Sequence, residues 1–265
     1  MTKEFNDTNY WALILGGSSG LGLATAKKLA QHGMNICIVH RNPRAQQEII
    51  EAEFDSIRKT GVQFKAFNAD AFKVEKRNEM LLELEEILGD KGRIRTLVHS
   101  VAKGNLKPML SEDQAILNTD DFNLTINAMA ISLYDWTQAI FKLSLFAEDA
   151  RIISFTSEGN TKAWKNYAAV SAAKVTLEAI SRNIALEFAP FGIRANCIQA
   201  GVTDTASLRM IPGSEQLKAH SLLRNPFKRL TALEDVANAV YLLSKDEASW
   251  INGCVIPVDG GEHIS

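Results

Sequence analysis

The chain has 265 residues, of which 46% are hydrophobic and 23% charged, with a formal net charge of −2. A chain of that length buries a large core without disulfides or metals, and the near-neutral balance gives no bulk electrostatic reason to bind nucleic acid or an anionic membrane. No apolar run approaches the ~20 residues of a membrane span. The opening MTKEFNDTNYW lacks the apolar stretch of a signal peptide, so a cytoplasmic protein is expected.

The pattern alternates along the chain. Residues 12–16 (ALILG) form a continuous apolar run, as in a strand buried on both faces. Residues 21–32 follow with Leu21, Ala24 and Leu29 at helical spacing. A second strand is expected at 35–40, a helix at 44–60 ended by Gly61, a third strand at 62–68 and a charged amphipathic helix at 74–88. A fourth strand at 94–100 precedes a long helix at 121–146, a fifth strand at 151–156 and a second long helix at 165–188 closed by Pro190 and Gly192. Strands at 193–199 and 254–258 flank a helix at 232–243. Such alternation predicts an α/β fold in one domain over residues 1–265, a doubly wound parallel sheet of about seven strands with helices on both faces. Two stretches, 101–120 and 202–231, break the rhythm. Each follows a strand, at the rim where open α/β sheets bind ligands. Cys37, Cys197 and Cys254 lie in apolar runs without a CxxC pair and are expected to be buried structural thiols in a reducing compartment. No His/Asp/Glu cluster has metal-ligand spacing, so no metal is expected.

The first strand runs into Gly16-Gly17-Ser18-Ser19-Gly20-Leu21-Gly22 and then a helix. Such a loop turns backbone N–H groups and a helix N-terminus toward a phosphate, with glycines permitting the tight turn and close approach. The second strand ends in His40-Arg41-Asn42 rather than in the acidic residue that accepts from the ribose hydroxyls of NAD. A guanidinium pairs with a 2′-phosphate that a carboxylate would repel, so Arg41 favours NADPH over NADH.

Tyr167 and Lys174 stand seven residues apart at the start of the helix expected at 165–188. At ~100° per residue they share a face, ~10 Å apart along the axis. An ammonium near a phenol favours phenolate and sharpens the phenol as a donor. A donor at a carbonyl oxygen stabilises the charge that develops when hydride adds to the conjugated carbon.

These pieces together resemble the short-chain dehydrogenase/reductase family, across essentially the whole chain from Trp11 to Gly261. The glycine loop is followed in family order by Ala69-Asp70, His99-Ser100-Val101-Ala102, Ile126-Asn127-Ala128, Ile153-Ser154 with Ser157, Tyr167…Lys174, Gly201-Val202-Thr203-Asp204-Thr205 and Val258-Asp259-Gly260-Gly261. The chain departs from the commonest family pattern in three places. Val170 occupies the usual tyrosine position four before Lys174, HSVA replaces NNAG, and Ala200-Gly201 replaces Pro-Gly. Tyr seven before Lys with HS-x-A resembles the bacterial enoyl-acyl-carrier-protein reductases, and Ser157 resembles their smaller NADPH-using subgroup.

The resemblance implies a Rossmann-type fold and reduction of an enoyl thioester, carried on acyl carrier protein or coenzyme A, by NADPH in fatty acid biosynthesis. It implies catalytic roles for Tyr167, Lys174, Ser157 and Asn127. Cofactor contacts are implied for Gly16, Ser18, Ser19, Gly20, Leu21, Gly22, Arg41, Asp70, Ala71, Ser100, Val101, Ala102, Lys174, Gly201, Val202, Thr203 and Thr205. A substrate flap is expected around 202–231, with Leu208, Met210, Ile211, Leu217, Leu222 and Leu223 suited to an acyl chain. A homotetramer is implied, formed through the last helix, the seventh strand and the GG tail. A 3-oxoacyl or carbonyl reductase, a 2,4-dienoyl thioester reductase and a non-catalytic dinucleotide binder are the alternatives. Trp164 is a candidate pocket wall, and His99 is expected beside the cofactor through its backbone. Tyr241 and Lys245 match the usual Tyr-x3-Lys spacing but read as a core tyrosine and a surface lysine. His220 and His263 read as surface residues.

Overall fold

The computed structural model describes residues 4–265; residues 1–3 of the expected single domain lie outside the described residues. Seven parallel strands form one sheet in the order β3-β2-β1-β4-β5-β6-β7. They are β1 Tyr10–Leu15, β2 Asn35–His40, β3 Phe64–Asn68, β4 Arg93–His99, β5 Phe146–Thr156, β6 Ile193–Ala200 and β7 Val255–Val258. The helices are α1 Gly20–Gln31, α2 Gln47–Arg58, α3 Val74–Leu88, α4 Thr119–Ile126, α5 Ser132–Lys142, α6 Ala168–Glu187, α7 Ala206–Arg209, α8 Ser214–Arg224 and α9 Leu233–Ser244. The doubly wound Rossmann-like architecture expected from the alternation is therefore present.

The strands are apolar throughout because helices cover both faces. Successive residues of a strand point to opposite sides. Trp11, Leu13 and Leu15 of β1 pack with Leu84 of α3, Trp136 of α5 and Leu177 of α6, all buried. Ala12 and Ile14 face the other way, onto Leu29 of α1, Phe54 of α2 and Val240 of α9. The order reverses at β1, so the carboxyl ends of β1 and β4 open a crevice between them.

Several expected boundaries are corrected. The long helix at 121–146 is two helices joined by a wider π-helical turn at Asn127–Ile131. Within it the Ser132 hydroxyl donates back to the Ala128 carbonyl at 2.7 Å, a side-chain bond of the kind that bends helices. Phe146 belongs to β5, paired with Ile94 of β4. Helix α6 begins at Ala168 rather than 165, because Asn166 has φ 62° and cannot extend a right-handed helix. The irregular stretch 202–231 carries α7 and α8. Cys37 and Cys197 are buried, but Cys254 precedes the edge strand β7 and is exposed.

At the opposite end of the sheet, three arginines converge on Asp149. Arg95 donates to its carboxylate at 2.8 Å, and Arg151 and Arg194 also pair with it. Arg95 and Arg151 are 1% exposed; Arg95 also donates to the Asp246 carboxylate at 2.7 Å, and other N–H groups of the two bond the Leu243, Ser244 and Lys245 carbonyls at the end of α9. Buried guanidinium groups thus satisfy orphan carbonyls of a helix C-terminus.

Candidate active site

The loop after β1 is shaped for an anion. Gly16 has φ 84° and Gly20 φ 55°, and a Cβ on Gly16 would collide with the Ser100 carbonyl. A Cβ on Gly22 would collide with the Gly16 carbonyl, so Gly22 serves close packing of α1 on the loop. Ser19 caps α1 without a side-chain bond to the helix, and the first turn holds no acidic residue. The first-turn N–H groups therefore face an electropositive opening fit for a pyrophosphate.

That opening continues into a cavity of about 410 Å³. Gly16, Ser18, Ser19, Gly20 and Leu21 line it, as do Arg41, Ser100, Val101 and Ala102. Gly201, Val202, Thr203 and Thr205 line its far side. Asp70 and Ala71 line an adjoining hollow that shares Arg41 and Ser100. Arg41 and Asp70 form an ion pair at 2.7 Å across the ends of β2 and β3. Gly22 is buried behind the loop and does not line the cavity.

Tyr167, Lys174 and Ser157 come together in this cavity. Tyr167 stands immediately before α6 with φ −115° and ψ 0°, and its carbonyl accepts the first helical bond, from Ser171 at 2.8 Å. Tyr167 and Lys174 thus meet in one cleft as their spacing predicts, with the phenol carried by the residue that caps the helix rather than by its first turn. Its hydroxyl lies 3.5 Å from Ser157 Oγ. Gly159 is required for that approach, since a Cβ there would collide with the phenol ring. Trp164 packs against the same ring at 5.1 Å between centroids and lines the cavity, as expected of a pocket wall.

The electrostatics differ from the expectation that Lys174 promotes phenolate. Burial raises the Tyr167 phenol, and the Ser157 hydrogen bond only partly opposes it. A phenol raised in this way keeps its proton at neutral pH, as an ordinary tyrosine does. Lys174 donates to the Phe155 carbonyl at 2.6 Å. Burial pushes its ammonium down to about 8, against upward pulls from Cys197 and Glu178.

Two expected residues are elsewhere. Asn127 is exposed and does not line the cavity, so it makes no direct contact there; it begins the π-helical turn, in keeping with support of a kinked helix, the other role the resemblance implies for it. His99 is buried under the site with Nε2 2.7 Å from Ser132 Oγ, and burial followed by the Lys174 charge pushes it down to about 3. It is a neutral interior group away from the cavity wall.

The substrate end is apolar. Leu106, Met129, Trp164 and Val170 meet Leu208, Met210, Ile211 and Leu217 of the flap segment. Leu222 and Leu223 point away and are exposed, correcting their expected place in the acyl pocket. An ionic chain closes the wall. Arg224 of α8 donates to Glu158 at 2.6 Å and to Glu262 at 2.8 Å, and Lys162 donates to Glu158 at 2.9 Å. Burial raises the Glu158 carboxyl, but Arg224 and Lys162 outweigh it and hold it below the ordinary value. The sequence does not reveal this chain because its bonded members, Glu158 and Arg224, are 66 residues apart. Nor does it single out Gly159, although a glycine two residues after Ser157 is in plain view.

The decoy pair lies on α9. Tyr241 is half-buried rather than core, stacked on His32 at 3.8 Å, and both Tyr241 and Lys245 bond Glu4. His220 and His263 are exposed, as expected.

A glycine cradle at a helix N-terminus, opening onto a phenol, a lysine and a serine at the carboxyl rim of a doubly wound sheet, defines a dinucleotide-dependent oxidoreductase. A family model described as Enoyl-(Acyl carrier protein) reductase matches residues 16–263, and the chain belongs to the short-chain dehydrogenase/reductase family, whose members use NAD(P). It is 29% identical to the 3-oxoacyl-(acyl-carrier-protein) reductase MabA of Mycobacterium avium over 94% of this chain and 88% of that protein. It is 26% identical to a peroxisomal 2,4-dienoyl-CoA reductase of Mus musculus over 96% of this chain and 84% of that protein. The crystal structure of an enoyl-(acyl-carrier-protein) reductase (NADH) from Aquifex aeolicus VF5 superposes with a TM-score of 0.79 at 25% identity, covering 97% of both chains.

Proposed function

We propose that this oxidoreductase reduces the carbon–carbon double bond of an enoyl thioester with NADPH. The observation that carries the reading is the seat of the phenol: Tyr167 precedes α6, while the position four before Lys174 holds the buried Val170. A phenol displaced outward along the helix suits a carbonyl oxygen two atoms from the carbon that receives hydride. NADPH supplies that hydride when bound. The protonated Tyr167 hydroxyl donates to the thioester oxygen as negative charge develops there. In this reading Lys174 holds the nicotinamide ribose hydroxyls, Arg41 the 2′-phosphate and Asp70 the adenine amino group. The glycine loop, Ser18, Ser19 and Thr205 hold the pyrophosphate region. Residues 203–226 cover the acyl chain against Leu106, Met129 and Trp164.

One observation favours a second reading. Ser157 Oγ and Tyr167 Oη are 3.5 Å apart, so two hydroxyls can converge on one carbonyl, as reduction of a 3-oxoacyl thioester requires.

The test pairs NADPH and NADH with enoyl, 3-oxoacyl and dienoyl thioesters, followed by loss of the reduced-nicotinamide absorbance. The proposal expects NADPH oxidation with crotonyl thioester and none with acetoacetyl thioester. The opposite preference selects ketone reduction. As part of the same reading we place the protein in the cytoplasm, acting on carrier-bound fatty acyl groups as a homotetramer. Leu242, Trp250 and Ile264, exposed around α9 and the tail, are available for assembly.

A further inference from the structure

Two side chains of α6, one helical turn apart, grip the same length of chain after β5. Lys174 donates to the Phe155 carbonyl at 2.6 Å. Glu178, four residues on, accepts from Thr156 Oγ1 at 2.5 Å and from Asn160 Nδ2 at 2.6 Å, both on its Oε1. Thr156 ends β5, and Asn160 closes the short turn by donating its backbone N–H to the Ser157 carbonyl at 3.1 Å. Both ends of the turn that displays Ser157 are therefore tied to the helix that carries Lys174. Glu178 is only 9% exposed and forms no ion pair within 4 Å among the described residues. Burying a carboxylate so is unfavourable unless its hydrogen bonds are strong. Here both donors come from the one turn whose placement sets the distance between Ser157 and Tyr167.

We propose that Glu178 is a positioning residue of the reaction: it clamps the Ser157 turn to α6 and so fixes the serine hydroxyl against the Tyr167 phenol. The inference rests on reading Tyr167, Lys174 and Ser157 as the reacting set. Glu178 touches neither substrate nor cofactor. It acts through geometry, and small misplacements of a reacting group slow turnover strongly. The side-chain carbonyl oxygen of glutamine can accept the same two bonds, so acceptor geometry can be separated from side-chain loss.

The experiment compares Glu178→Ala and Glu178→Gln with the parent on whichever of the enoyl, 3-oxoacyl or dienoyl thioesters the parent reduces fastest. NADPH affinity by fluorescence titration and Tm are measured in parallel. Glu178→Ala should lose about 10-fold or more in kcat. Its NADPH Kd should stay within about two-fold, and Glu178→Gln should recover most of the turnover. Should Glu178→Ala fail to fold, Asn160→Ala removes one tie from the same carboxylate and should lower kcat in the same sense. Unchanged kcat in these variants, with only Tm reduced, overturns the proposal; so does a Gln variant no better than the Ala variant when each kcat is read from the plateau of its own pH profile, since the Glu178 charge also pulls the Lys174 ammonium up. A parent active only on 3-oxoacyl thioester sinks the enoyl reading and leaves the Glu178 comparison intact. A parent inactive on every thioester sinks both.

Discussion

Arg41 and Asp70, expected from the sequence to serve opposite ends of the adenosine, are joined in an ion pair at 2.7 Å. The guanidinium is held at the end of β2 by the carboxylate that follows β3, and its side chain remains 66% exposed. A 2′-phosphate can thus be met by a guanidinium already oriented, with donors left over.

Replacing Arg41 with Ala should raise the KM for NADPH by roughly 10–100-fold, the scale of a hydrogen bond to a charged group, and leave that for NADH within about two-fold. Because the group is exposed, added salt should weaken NADPH more than NADH in the parent. Steady-state kinetics with both cofactors at two ionic strengths check this, and equal losses for the two would remove Arg41 from the discrimination.

Turnover should fall by on the order of 10²-fold in Tyr167→Phe, with NADPH affinity kept. The phenylalanine retains the packing against Trp164 and Gly159 and loses only the hydroxyl 3.5 Å from Ser157. Parent-like kcat would place the proton donor elsewhere.

The buried Lys174 ammonium, pushed down to about 8, gives two opposite pH signatures. As pH rises through about 8 the free protein loses this charge, so kcat/KM for NADPH should fall along an alkaline limb there. Stability runs the other way. Below about 8 the buried charge is a fixed penalty, and between 8 and the ordinary lysine value the folded form has released the proton that the unfolded form still binds. The Tm advantage of Lys174→Met over the parent should therefore shrink as pH rises through that window.

Asp149 is the shared counter-charge of Arg95, Arg151 and Arg194. Burial raises its carboxyl, but the arginines outweigh burial and hold it below the ordinary value. Its contribution is thus complete above the unfolded carboxyl value and is lost as pH falls through the lower folded value. Asp149→Asn leaves the buried Arg151 without a carboxylate partner among the described residues and Arg95 with only the exposed Asp246, 2.7 Å away, and should lower stability by about 2–4 kcal/mol. Thermal unfolding at neutral pH checks this, and the gap to the parent should close in strong acid.

The alternation of strands and helices, the glycine loop and the Tyr–Lys pair were legible in the residues because each rests on local rules. A short apolar run that stops at a glycine reads as a covered strand, and a strand–glycine–helix unit points its N–H groups toward one opening. Local reading failed where a neighbour far along the chain decided the outcome. The break at Asn127–Ile131 and the late start of α6 depend on backbone geometry that helical periodicity does not encode. Asn127 fell on the outer side of its turn, and Tyr167 caps α6 instead of lying within it.

Local pattern was enough to give the fold class, the cofactor-binding crevice and the residue types that could meet there. The packed fold was needed to bring Arg41 to Asp70, to set Arg224 between Glu158 and Glu262, and to raise the Tyr167 phenol by burial. The physical reason is range. Hydrophobic periodicity and turn chemistry act within a few residues, whereas ion pairing and desolvation depend on which distant segments the packed sheet brings into contact.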